Sequence, residues 1–182
     1  SGSRGSNNQT AGNRTGESKL PTKILGPLRF GAFQVPPAPL VPTAVLYDQL
    51  NNPGSAATSS QEAPDAPAFS DLTADDFVVP VGQIWSITEV DAAGAYGNGP
   101  GPADNFNVFF YQNIGTLPGP QVYSATGQPY MNNSGVFQVT LTAPAVLGPG
   151  RYWLSVQAHM NFTSNGQWFW VERTGRADSA AA

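Results

Sequence analysis

Cysteine is absent from the 182-residue chain, which excludes disulfides and thiolate metal sites and leaves the core to carry stability alone. Charge is also scarce: Asp, Glu, Lys and Arg make up 11% of the chain, against roughly 25% in an average soluble domain. The net charge of -4 and a pI near 4.7, with the basic residues scattered, give no footprint for a phosphate backbone, so nucleic acid is not an expected partner. No run of eighteen apolar residues occurs, which excludes a membrane-spanning helix. A single histidine, His159, is the only ready base at neutral pH. No serine sits in a nucleophile-elbow context, so nucleophilic hydrolysis is disfavoured.

What the chain does contain is 20 Gly, 17 Pro and a high share of aromatic residues, on a background of Asn, Gln, Ser and Thr. Such a surface is common in secreted β-proteins and assembly subunits. Residues 1–20 carry one large aliphatic side chain, Leu20, too little apolar area to offset the cost of ordering. From Lys23 the character changes. Ile24, Leu25, Leu28, Phe30, Ala32, Phe33 and Val35 precede Pro36, Pro37, Pro39 and Pro42, which reads as a sticky strand on an extended connector. Residues 1–43 are therefore expected to form an arm, and residues 44–182 the domain.

Within the domain, short aromatic-rich segments alternate with Gly and Pro clusters. Val45-Leu46-Tyr47 is expected to open it, followed by a polar loop over residues 51–70. Strands are then expected near 75–80, 84–96, 105–114, 121–125, 136–142, 151–160 and 167–174, eight in all. Regular spacing of this kind predicts an all-β fold, an antiparallel β-sandwich or jelly roll. Period-2 alternation assigns Phe106, Val108 and Phe110, then Phe137, Val139 and Leu141, then Tyr152, Leu154, Val156, Ala158 and Met160 to the core. It leaves Phe109, Tyr111, Trp153 and His159 on the opposite face among Asn, Gln and Ser, the composition of a surface on which rings stack against sugars.

Other chemistries have weaker support. Glu89 and Asp91 share a strand face, as glycoside hydrolysis would require of two carboxylates, but Asp75 and Asp76 are adjacent and point apart. Asp71, Asp75, Asp76 and Asp104 could supply some oxygen ligands to calcium, yet no loop has the ligand spacing the ion needs. No metal, cofactor or catalytic residue is expected, and the chain is not read as an enzyme.

The series Asp75-Asp76-Phe77-Val78-Val79-Pro80, Gly82-Gln83-Ile84-Trp85, the Gly-Pro turn at 99–102, Val108-Phe109-Phe110-Tyr111, Leu117-Pro118-Gly119 and Gly150-Arg151-Tyr152-Trp153 resembles a group of secreted bacterial β-sandwich modules. The similarity covers about residues 44–174, and most of those modules have no assigned activity. It implies a secreted or cell-surface location. It also implies one more strand beyond Trp168-Phe169-Trp170, where this chain instead ends in Asp178-Ser179-Ala180-Ala181-Ala182. A sandwich short of one strand exposes an edge and an apolar groove. The expected function is a structural or assembly subunit, of surface-filament or adhesin type, whose arm adds a strand to a neighbouring copy. The alternative is a carbohydrate-binding module that takes a polysaccharide on Phe109, Tyr111 and Trp153.

Overall fold

The computed structural model describes residues 44–175. Ten strands form in them: β1 (Pro53–Ser59), β2 (Gln61–Glu62), β3 (Ala74–Val79), β4 (Trp85–Gly97), β5 (Asn105–Ile114), β6 (Leu117–Gln128), β7 (Tyr130–Asn133), β8 (Val136–Leu147), β9 (Gly150–His159) and β10 (Gln167–Arg173). A 3-10 turn covers Pro67–Phe69, and a single helical turn, α1, covers Phe162–Asn165. One sheet runs β1-β10-β4-β8-β7. The second runs β2-β9-β5-β6, with β3 also paired to β9. Every pairing is antiparallel except the short one between β2 and β9. The architecture is thus mostly antiparallel β in two sheets, compatible with a β-sandwich.

Alternation explains how the sheets meet. Phe106, Val108 and Phe110 of β5 are buried, as are Phe137, Val139 and Leu141 of β8 and Val156 and Ala158 of β9. Side chains of one strand face recur every second residue, so each strand contributes a row to a shared interior. Phe106 lies at its centre, with its ring 4.7 Å from Tyr130, 5.5 Å from Phe137 and 5.1 Å from Trp168. These partners belong to the opposite sheet, so the aromatic cluster is what joins the two. Each fully buried side chain of this size contributes about 1.5–3 kcal/mol, with edge-to-face geometry adding a smaller term.

The structure differs from the sequence expectation in three places. Val45-Leu46-Tyr47 forms no strand; Tyr47 instead leans its ring toward Phe77, at 6.1 Å. The segment expected to be a polar loop contains β1 and β2. β1 has the sequence Pro-Gly-Ser-Ala-Ala-Thr-Ser, with one β-branched residue, and it is a strand because β10 pairs with it. β7 was also not expected. It is held by a hairpin in which Asn133 opposes Val136 and both turn residues, Ser134 and Gly135, have positive φ of 55° and 92°, the geometry that suits a two-residue hairpin turn. The strand number is therefore ten rather than eight.

The chain crosses from one sheet to the other at Ser60. This residue is fully buried, and all of its polar groups are used. Its N–H donates to Trp168 O at 3.3 Å, its carbonyl accepts from Ala158 N at 3.0 Å, and its hydroxyl donates to Val156 O at 2.7 Å. The neighbouring Gln61 is equally buried. It donates from Nε2 to Gly166 O at 3.2 Å and accepts from Trp168 N at 2.9 Å. Buried polar groups must be bonded to be tolerated, so these two residues hold β1, β9 and β10 in fixed relation.

Gly94, in the middle of β4, is required by a close approach. A Cβ there would lie 2.4 Å from the Trp168 ring, a distance no real contact permits. Gly94→Ala is expected to lower stability by about 1–3 kcal/mol, the usual cost of overpacking, read as a lower urea midpoint with a changed near-ultraviolet signal from Trp168. Gly148→Ala, where a Cβ meets nothing within 4 Å, is expected to leave the midpoint unchanged.

Candidate functional site

β4 is a thirteen-residue strand that is paired unequally on its two sides. β8 follows it from Trp85 to Ala93. On the other side β10 pairs only with Gly94 to Gly97, and beyond Trp170 it keeps only β1, its neighbour on the far side, with Val171 opposite Ala57 and Arg173 opposite Pro53. Among the described residues, no strand pairs with the β10-facing side of Trp85–Ala93. At roughly 3.3 Å per residue that side is about 30 Å long.

A cleft of about 1050 Å³ opens at this divergence. Ile87, Val90, Trp170, Phe77 and Leu154 line its floor, continuous with the core. Its rim is polar. Thr58 Oγ1 donates to Glu172 Oε1 at 2.8 Å, and Asp91 also borders the cleft. Burial pushes the Asp91 carboxyl above its ordinary value, against a hydrogen bond from Gln138 that lowers it, and its Oδ1 is buried with no hydrogen-bond partner. Residues 44–50 run along the mouth, where Gln49 Nε2 donates to Asp76 O at 3.3 Å. The chain therefore enters its described part at the cleft. Backbone N–H and C=O groups beside an apolar floor, with a spare acceptor on the rim, are what an incoming extended segment needs.

The residues singled out for the arm, Ile24, Leu25, Leu28, Phe30, Ala32, Phe33 and Val35, lie outside the described residues. The four read as a ligand platform share the outer face of β5 and β9. Tyr111 opposes Trp153, and Phe109 lies one pair further along, opposite Ser155. Trp153 is fully buried, and its indole N–H donates to Asn113 Oδ1 at 2.9 Å. It presents no ring surface to a ligand, as expected if the strand face is covered rather than used as a platform. The strand partner of Trp153, Asp76, is also buried and is ion-paired with Arg151. Phe109 and Tyr111 remain half-buried, their rings 6.4 Å apart. His159 stands near the other end of β9, away from them.

His159 has a different role. Its Nδ1 lies 3.0 Å from Glu62 Oε2, which also accepts from Asn107 Nδ2 at 2.9 Å. These two hydrogen bonds, the histidine's first, hold the Glu62 carboxyl below its ordinary value of 4.5. The cluster ties β2 to β9 and β5. Among the described residues no three His, Asp or Glu side chains are placed to hold a metal ion.

A carboxyl whose value is lower in the folded state stabilises the fold above its unfolded value, and the contribution is lost as pH falls through the folded value. Wild type is therefore expected to exceed Glu62→Gln in urea stability at pH 7, by no more than about 1 kcal/mol for so exposed a pair. The difference is expected to shrink as pH falls below the ordinary value of 4.5 and to be lost as it passes through the lower folded value, as measured by paired urea titrations in increasingly acidic buffer. Set against known proteins, the chain matches no family model, no curated protein and no solved structure, so the meaning of the cleft has to come from its own geometry.

Proposed function

We propose that this chain is a non-enzymatic, extracellular structural subunit of the filament or adhesin kind. Its N-terminal arm seats a strand in the cleft of a neighbouring copy. The observation that carries the reading is the unpaired side of β4 over Trp85–Ala93, bordered by an apolar floor. A bare strand edge beside a hydrophobic trough is costly for a protein to leave open, and a strand supplied in trans satisfies both the backbone and the trough.

The arm has the matching chemistry. Leu28, Phe30 and Ala32 alternate with Arg29, Gly31 and Phe33, so the first set gives such a strand an apolar face that can enter the floor. The connector from Pro36 to Thr43 spans about 25 Å when extended at roughly 3.1 Å per residue, enough to carry the strand away from the mouth of its own cleft. Each copy then offers an arm and a cleft, a heterologous contact that propagates without closing. The strand order β1-β10-β4-β8 opposite β3-β9-β5-β6 supports reading the two sheets as a jelly roll. A polysaccharide platform loses its main support with the burial of Trp153.

The test is the full-length double variant Leu28→Asp/Phe30→Asp. Light scattering and electron microscopy are expected to show extended assemblies for wild type and nothing larger than a dimer for the variant, with the unfolding temperature unchanged. Identical assemblies from both chains, or a wild type that never grows beyond a dimer, would overturn the reading.

A further inference from the structure

Three connections leave the sandwich at one end: Pro80 to Ile84 between β3 and β4 and Gly148-Pro149 between β8 and β9, which both cross between the sheets, and the β5–β6 hairpin turn Gly115-Thr116. The pairing shows that they are neighbours. Val79 opposes Gly150, Gln112 opposes Tyr152, Ile114 opposes Leu117 and Trp85 opposes Leu147, while the stacked rings of Phe77 and Trp85, 6.0 Å apart, tie the two sheets together there.

This end carries large aliphatic side chains turned to solvent. Val81 is 95% exposed and Ile84 75%, and Ile114, Leu117 and Val146 are each more than half exposed. Charge is missing around them. The sequence has no Asp, Glu, Lys or Arg from Phe77 to Thr88 and none from Phe106 to Gly150. The nearest charged side chains, Arg151 and Asp76, are paired with each other. Scattered exposed aliphatics need no explanation, but five gathered on one uncharged tip exceed what a monomer commonly leaves bare.

We propose that this tip is a homodimer interface, in which two copies meet end to end through Val81, Ile84, Ile114, Leu117 and Val146. Three features select a second copy as the occupant. The whole chain carries a net charge of -4, so most of its surface repels its own kind, whereas the tip brings no like charge against an identical tip. An end-to-end contact removes the exposed aliphatic side chains of both copies from water at once, which an unlike partner would do for one copy only. A lipid surface fits less well, because the tip offers neither the exposed Trp and Tyr nor the Lys and Arg that anchor proteins at a membrane interface. The contact is isologous, each copy using the same patch, and it is independent of the arm and the cleft.

The experiment uses the full chain in the Leu28→Asp/Phe30→Asp background, so that arm-driven assembly does not mask the result. Sedimentation velocity over a concentration series is expected to show a reversible monomer–dimer equilibrium. Adding Val81→Asp and Leu117→Asp is expected to weaken that dimer at least about tenfold, the scale of one lost interface anchor. These positions are exposed, and an unchanged unfolding temperature confirms that the variant folds. The proposal is overturned if the arm variant is monomeric at every concentration, or if the folded tip variant dimerises as before. It is equally overturned if the tip drives flotation with phosphatidylcholine vesicles while the protein in solution stays monomeric, which would make lipid the occupant.

Discussion

The point at which β10 stops pairing with β4 determines most of what is distinctive in this molecule. The indole of Trp168 lies so close to Gly94 that no side chain fits between them, and this contact seats β10 against the last four residues of β4. Beyond it the strand is paired on one side only, with β1. A sheet that would otherwise be continuous divides there, and the space between its halves becomes the cleft. One aromatic–glycine contact thus sets both the centre of the core and the location of the opening, which is why the opening is apolar inside: its floor is an extension of the same core.

The division does not loosen the rest of the body, because the chain crosses between sheets through a fully bonded joint. Ser60 and Gln61 satisfy the backbone of Trp168, Gly166, Val156 and Ala158, and a buried network is stabilising only when every member is paired. At the same end of the sandwich, Asp65 accepts from the backbone N–H groups of Phe162 and Thr163 at 2.7 and 2.9 Å, and Phe69 stacks on Phe162 at 4.1 Å. Unpaired polar groups are few by comparison. One of them, Asp91 Oδ1, belongs to a residue that borders the cleft. An unmet acceptor beside an unmet strand edge is where an added segment gains most, since burying either without a partner costs free energy.

Much of this could be read from the residues, and the part that could not has a physical reason. Alternation at Phe106-Val108-Phe110 and Phe137-Val139-Leu141 identified core faces because burial and period-2 geometry act locally. The same rule placed Trp153 on the polar face of β9, where it indeed lies. It could not foresee that the ring would be covered, since alternation assigns a direction and says nothing about what packs above it. β1 escaped notice because its Gly, Ser and Ala residues have little strand preference of their own, and pairing with β10 overrides propensity. The vacancy beside β4 was legible only in kind. A missing strand was expected after Trp170, whereas the gap lies within an existing sheet and follows from register between strands distant in sequence. The Ser134-Gly135 turn was the one missed signal that the residues did carry.

The two proposed contacts also constrain each other. The cleft opens along the side of the sandwich, between β4 and the β1–β10 pair, while the aliphatic tip is formed by end loops. The five tip residues are not among those that line the cleft, although Ile84 adjoins Trp85, where the bare edge begins. A heterologous arm-to-cleft contact alone yields single threads of any length, and an isologous tip contact alone stops at two copies. Acting together they tie threads side by side, each subunit held by its neighbours along the thread and by one partner across it. Tip contacts too weak to hold isolated subunits would then hold threads, because the second and later contacts between two threads form at high effective concentration. The prediction is a change in form as well as affinity: loss of the tip leaves single threads, loss of the arm leaves dimers, and only the intact chain makes paired filaments.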